Sequence, residues 1–337
     1  MTSDRLSSWI AGLRAGGHVP MAEHRAALDE AARQAIAGVP ADALPLRLPK
    51  RRVADLVRCP RLAVASAGAG PAVPSVPLVM GRLAELGAHI VVLGAIDAAV
   101  LVSPDDLLRA VESAGRALAD PLAAAAERFD DTARANAADD LADRVGQLAR
   151  SWVRSPARWV RCEERFDVPL ATAVGGAPAV VVSGRVDVSF GAPPLLRPAG
   201  EPRGVVELKS TRLPLDPIEE SAWYALLAGL VEGVAPDGTA LWAPDEGGPN
   251  SVGRLAAFPV SKASIVSAAS RLEDAMVVAG ELAAGAKPAE RPGWWCAACP
   301  DRAVCPSSEG SDDLAVPDLL ELASSLDDQP DGDDDAF

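Results

Sequence analysis

With 337 residues the chain can bury one substantial core with elaborations and has no need of a disulfide scaffold. Its formal charge of −15 is unevenly spread: residues 309–337 hold eleven Asp and Glu and no Lys or Arg, which leaves only about four of those negative charges on residues 1–308. The opening segment mixes Asp4, Arg5 and Arg14 with a short apolar run, and the most apolar windows, 78–102 and 223–234, carry Arg82, Glu85, His89, Asp97 or Glu232. Neither an export signal nor a membrane span is expected. In the soluble, cytoplasmic protein that these features imply, five cysteines are better used as metal ligands or buried thiols than as disulfides.

In chain order, residues 21–36, 52–66, 81–101, 104–119 and 121–152 place apolar side chains at helical spacing between Pro and Gly breaks, with a Gly, Pro and Ala-rich loop at 67–77. The pattern then changes. Residues 180–190 form a β-branched run, a Pro and Gly-rich turn covers 191–204, and 205–209 form a second run, so the simplest expectation is two strands joined by a turn. Asp216 caps a helix opened by Pro217 and running to about Gly233. Strands follow at 239–243 and 253–260, and Ser261 caps a last helix to about Ala284. Helices, two strands, a helix, two strands and a helix describe an α/β chain with a mixed sheet flanked by helices. The expected organisation is a mainly helical part, 1–150, forming one compact unit with a sheet-bearing part, 151–308, and an acidic disordered tail, 309–337.

The sharpest chemical feature is Gly184-Arg185-Val186-Asp187 followed by Glu207-Leu208-Lys209. Residues two apart on a strand share a face, so Glu207 and Lys209 project together and Asp187 can meet them from the neighbouring strand. Two carboxylates and an amine in one small site suit Mg²⁺ or Mn²⁺, which takes one or two carboxylates and completes its shell with water and phosphate oxygens. An exposed hairpin edge carrying ordinary charges is the alternative for so short a pattern.

The wording of these segments resembles the PD-(D/E)XK nuclease superfamily, in its RecB-like branch. The resemblance implies a restriction-endonuclease-like fold, Asp187 and Glu207 as metal ligands, Leu208 as the donor of a backbone carbonyl, and Lys209 as the catalytic lysine. It also draws in Glu220 and Tyr224, which stand where the family carries Gln-x-x-x-Tyr, with glutamate replacing glutamine. Gly81-Arg82-Leu83-Ala84-Glu85 stands where relatives place Gly-x-x-x-His, so Glu85 is chosen as a further metal ligand. His89, one turn later, could point at the same cation but is read as a packed or partly exposed histidine, and Glu163 and Glu164 as surface charges.

Cys296, Cys299 and Cys305 lie within ten residues, and Cys59, in Arg58-Cys59-Pro60-Arg61, offers a fourth thiol. This layout looks like the iron-sulfur clamp of the AddB and CRISPR-adaptation nucleases in the same branch. A [4Fe-4S] cluster is therefore the expected occupant, with zinc as the alternative, because four thiolates also bind Zn²⁺. Trp294 and Trp295 are expected to pack over the cluster, and Cys162 to be a buried thiol. The implied function is hydrolysis of DNA at single strands or duplex ends, in repair, recombination or phage defence, with the acidic tail available to a protein partner. The other classes left open are a nuclease-fold module that binds DNA ends without cutting them, and a nuclease for RNA.

Overall fold

The computed structural model describes residues 5–13, 19–68, 75–93, 103–152, 159–173, 175–192, 202–209, 213, 216–245 and 251–308, so the acidic tail lies outside the described residues. The elements are α1 (Arg5–Gly12), α2 (Ala22–Ala35), β1 (Leu46–Pro49), α3 (Lys50–Arg58), α4 (Pro60–Gly68), α5 (Val76–Val92), α6 (Pro104–Ala117), α7 (Pro121–Ala125), α8 (Asp131–Ser151), β2 (Val160–Thr172), β3 (Pro178–Phe190), β4 (Gly204–Leu208), α9 (Pro217–Glu232), β5 (Gly238–Ala243), β6 (Arg254–Pro259) and α10 (Lys262–Ala283). The architecture is mixed α/β around one open, six-stranded mixed sheet.

The long strand β3 organises that sheet. β2 pairs antiparallel along its length, from Val160 opposite Phe190 to Thr172 opposite Pro178. One edge of β3 is thereby filled, and two strands share the other. β1 runs parallel beside residues 180–183, whereas β4 runs antiparallel beside residues 188–190. Residues 184–187 fall between them, in a split. β5 then joins β4 in parallel, and β6 closes the described sheet antiparallel to β5.

Helices cover both faces. On one side α2, α3, α9 and α10 pack through Leu28, Leu56, Leu226 and Leu272 against Phe166 and Val182 of the sheet. On the other, Leu6 of α1, Ala88 of α5 and Leu148 of α8 meet Val188, Val206 and Trp242. The helices α5 to α8 also have an apolar cluster of their own, built around Leu83, Leu108, Val111 and Leu141. α9 is apolar on nearly every side because it is enclosed nearly all round. Its expected ends hold: Asp216 accepts the Glu219 amide at 2.8 Å, and Gly233 closes the helix at φ 78°.

Several elements depart from the sequence expectations. The helix expected over 52–66 breaks at Cys59, which is extended at φ −157°, as a residue before proline prefers. The helix expected over 121–152 stops after α7, passes through a 3-10 turn at 126–128 and restarts from Asp130, whose carboxylate accepts the Ala133 amide. α5 starts at Val76 with Pro77 in its first turn, earlier than residue 81, and the expected extension over 94–101 lies outside the described residues. β1 and β2 were not anticipated. Four residues of Leu-Arg-Leu-Pro are too few to show a period, and the charged run Glu163-Glu164-Arg165 hides the alternation of β2. Nor do β3 and β4 form a simple two-stranded hairpin, since they share three rungs inside a wider sheet.

Gly280 marks the closest approach of α10 to α2: a Cβ there would lie 1.9 Å from the Ala35 carbonyl oxygen and 2.8 Å from its carbon. Alanine is intrinsically the better helix former by about 1 kcal/mol. Backbone cannot swing aside as a side chain can, and overpacking costs about 1–3 kcal/mol. Gly280→Ala is therefore expected to lower stability, read as a lower urea midpoint at unchanged slope.

Candidate functional site

The split in the sheet is where the chemically distinctive residues meet. The last rungs joining β3 to β4 are 190/204, 189/205 and 188/206, so the next position would set Asp187 opposite Glu207. There the ladder gives way to a side chain: Asp187 Oδ2 accepts the Leu208 amide at 2.7 Å. Leu208 thus takes part through its N–H. β4 is buried throughout and paired on both sides, which disposes of an exposed hairpin edge. Gly184, at the other end of the split, lets α9 come close, because a Cβ would sit 2.4 Å from Leu227 Cδ1.

Five side chains close a ring beside the split. Lys209 Nζ, carried past the end of β4 by its amide bond to the Trp242 carbonyl, lies 3.0 Å from Glu207 Oε1 and also donates to Glu220. Tyr224 donates to the same oxygen of Glu207. Lys50, the first residue of α3, donates to Glu220 and, at 2.7 Å, to the Tyr224 hydroxyl. Lys50 was not singled out in the sequence. Its signal would have been β1 itself, which delivers it to the split. Glu207 Oε2 is buried with no hydrogen-bond partner among the described residues.

The charges push on one another. Burial, with the Glu207 and Glu85 carboxylates nearby, holds the Asp187 carboxyl well above its ordinary range. Burial works against the Lys209 ammonium, yet Glu207 and Glu220 outweigh it and keep the proton on. Glu220 is the mirror case: burial opposes its charge, and Lys50 and Lys209 hold its pKa below the usual value. Burial and the bond to Glu207 likewise keep Tyr224 protonated.

α5 adds a second group from the opposite side. Among the described residues, Glu85, His89 and Asp187 are the set of three whose ligand atoms all lie within 4.8 Å of one another. Glu85 is held by Arg185 at 2.5 Å and Arg82 at 2.8 Å. His89 is buried, its Nε2 has no hydrogen-bond partner among the described residues, and burial lowers its pKa so that the neutral ring is favoured. Histidine at 89 therefore belongs to the site as much as Glu85 does. The expectation that Glu163 and Glu164 are surface charges is corrected. Glu163 sits at φ 53° in β2, in a register with β3 that is the same on either side of it, and its carboxylate meets Arg82 at 2.7 Å and His89 Nδ1 at 3.4 Å. Glu164 accepts from Ser189 and Arg161, each at 2.6 Å. Cys162 is partly buried beside Asp187, and burial pushes its thiol up to about 12.

The four cysteines expected to act together line one cavity, Cys59 from the end of α3 and Cys296, Cys299 and Cys305 from the C-terminal turns. Arg61 straps the two segments, with Glu290 at 2.6 Å and Asp301 at 3.3 Å. Trp295 lines the same cavity, whereas Trp294 lies under the Arg58 guanidinium at 5.3 Å, so only one of the two tryptophans packs where expected. A larger cavity of about 510 Å³ opens in front of Glu85 and Lys209, with Arg144, Arg185 and Trp242 on its walls. No helix among the described residues is long and apolar enough to cross a membrane. No protein-family model matches the chain, and no curated protein matches it.

Two carboxylates crowded against that of Asp187, those of Glu207 and Glu85, should destabilise the metal-free protein. Below 3.8 Asp187 is protonated whether folded or unfolded and costs nothing; as pH rises, the unfolded chain ionises first, so the penalty on folding grows until the raised folded value is passed and stays in full above it. Asp187→Asn is thus expected to melt higher than the parent at pH 7 in chelator, with the difference vanishing near the ordinary carboxylate value. Added Mn²⁺ should raise the melting temperature of the parent more than that of the variant.

Proposed function

We propose that the chain is a metal-dependent deoxyribonuclease of the PD-(D/E)XK superfamily, RecB-like branch, with a restriction-endonuclease-like core acting on single-stranded DNA or duplex ends. The observation that carries the reading is the convergence of Asp187, Glu207 and Lys209 on the split between β1 and β4. Mg²⁺ or Mn²⁺ fits the donors present: Asp187 and Glu85 supply oxygens and His89 a nitrogen within 4.8 Å of one another, Glu207 stands at the position opposite Asp187, and two buried donor atoms, Glu207 Oε2 and His89 Nε2, have no hydrogen-bond partner among the described residues. When bound, such an ion offsets the carboxylate charge and stabilises the charge that develops on the phosphate oxygens.

The side chains of the protein do the rest. Lys209, held as an ammonium, acts as a donor that orients the attacking water or a non-bridging phosphate oxygen. Tyr224 and Glu220 keep Lys209 and Glu207 in register. Arg144 and Arg185, on the wall of the 510 Å³ cavity, supply positive charge toward a phosphodiester backbone. One observation favours a second reading, a module that binds DNA ends without cutting: Lys209 is shared between two carboxylates, which makes its proton harder to move.

The cysteine cavity supports a [4Fe-4S] cluster over zinc. Cys59 stands apart in sequence from Cys296, Cys299 and Cys305 yet lines the same cavity, and a cubane accepts such uneven spacing because each cysteine binds its own iron; zinc held by the four thiolates is the alternative. By tying Cys59 to residues 296–305 the cluster has a structural role.

Two measurements test this reading. Protein purified anaerobically should cleave end-labelled DNA with Mg²⁺ or Mn²⁺, and Lys209→Ala should cut at least ~100-fold more slowly. Equal cutting by Lys209→Ala would remove the assigned site, and tight DNA binding with no cutting by the parent would favour the second reading. In the other measurement, iron analysis is expected to find about four irons per chain, lost on Cys59→Ser as fully as on Cys299→Ser and retained in Cys162→Ser. Stoichiometric zinc in colourless protein would replace the cluster assignment.

A further inference from the structure

Lys50 is not part of the sequence pattern that points to the site, yet it touches more of the site than any group except Glu207. Its ammonium donates to Glu220 and to the Tyr224 hydroxyl, stands 3.8 Å from Glu207 Oε1, and lies 4.7 Å from the centre of the Tyr224 ring. The contacts form a closed circuit. Lys50 donates to Tyr224, Tyr224 and Lys209 donate to the same oxygen of Glu207, and Lys209 and Lys50 both donate to Glu220.

The circuit balances two ammoniums against two carboxylates and uses one phenol to pass a hydrogen bond between the halves. Glu220 is largely buried, with 15% of its side chain exposed, and a buried carboxylate left short of partners recruits the nearest cation. That cation would be Lys209. Drawn toward Glu220, Lys209 would leave Glu207, and the Tyr224 hydroxyl would lose the donor that fixes its orientation. Glu207 could then rotate and spend Oε2 on a protein partner.

We propose that Lys50 is a positioning residue of this site: by satisfying Glu220 and donating to Tyr224, it keeps Lys209 on Glu207 and leaves Glu207 Oε2 free for a divalent cation. The proposal rests on the reading of the split as a metal centre, and it makes Lys50 and Glu220 a charge pair that must be kept or lost together. Glutamate at 220 is tolerated because a second lysine arrives from the start of α3.

The test is a double-mutant cycle on the full chain with Lys50→Met, Glu220→Gln and the double variant. It is read by calorimetric titration with Mn²⁺ alone and by cleavage of labelled DNA. Lys50→Met is expected to weaken Mn²⁺ binding about 10-fold, the low end of what removing a residue behind a metal ligand costs, and to lower kcat with KM little changed. Adding Glu220→Gln should restore Mn²⁺ affinity to within about threefold of the parent, because the amide no longer competes for Lys209. Unchanged Mn²⁺ affinity in Lys50→Met overturns the proposal, as does a folded double variant that binds Mn²⁺ no better than Lys50→Met. If Lys50→Met does not fold, the double variant decides: Mn²⁺ binding near that of the parent supports the pairing, and its loss in a folded protein refutes it. Failure of the nuclease reading is distinguishable, since a parent that binds Mn²⁺ but cuts nothing still runs the whole titration.

Discussion

The unpaired stretch of β3 between its contacts with β1 and β4 is the constraint from which the rest of the site follows. A strand in a sheet interior normally spends its backbone groups on neighbours to either side. At residues 184–187 one side has no strand among the described residues, and Asp187 repairs part of the deficit by accepting the Leu208 amide with its carboxylate. That bond fixes a charge in a nearly dry position, directly beyond the last rung and opposite Glu207. Burial and the Glu207 carboxylate opposite raise the cost of ionising Asp187. Everything nearby addresses that cost: Lys209 and Lys50 supply positive charge from one side, and Arg82 and Arg185 hold Glu85 on the other. The remaining acceptors, Glu207 Oε2 and His89 Nε2, have no hydrogen-bond partner among the described residues, and in the proposed reading a divalent cation is theirs.

How much of this was legible in the sequence depended on whether the information was local. Asp187, Glu207 and Lys209 could be placed together because strand periodicity and a short separation decide it. Asp216 and Gly233 could be assigned as helix ends because caps act within a few residues. Lys50 could not be found this way. It reaches the site only because β1 pairs in parallel with β3 across more than a hundred residues of intervening chain, and four residues of β1 carry no readable period. Glu163 illustrates the same limit: two adjacent glutamates in a strand suggest surface charges, but the partners that hold Glu163, Arg82 and His89, come from α5, far away in the chain. For His89, position was readable and environment was not, since burial and an unpartnered nitrogen are tertiary facts.

The cysteine cavity and the split are joined by one element. α3 starts at Lys50, inside the hydrogen-bonded circuit, and ends against Cys59, inside the cysteine cavity. Nine helical residues span about 13 Å, and Val53 and Leu56 seat this helix in the core beside α10. A short, well-packed helix transmits position more faithfully than a loop. The extended geometry that Pro60 imposes on Cys59 makes the end of α3 a fixed point, and Arg61 secures the segment beyond it to Glu290 and Asp301.

That connection changes what holding the cysteines together does for the molecule. A clamp between residue 59 and residues 296–305 could be regarded as a staple on the outside of the fold, remote from any chemistry. Because the clamped residue follows directly on the helix that presents Lys50, a shift of the clamp moves an ammonium whose partners are Glu220 and Tyr224. Hydrogen bonds weaken steeply with misalignment, so a displacement of α3 by one ångström is enough to open the circuit without unfolding anything. Glu220 would then have Lys209 as its remaining ammonium partner. In the proposed reading, the structural cluster and the catalytic centre are therefore one mechanical unit, with α3 as the strut between them.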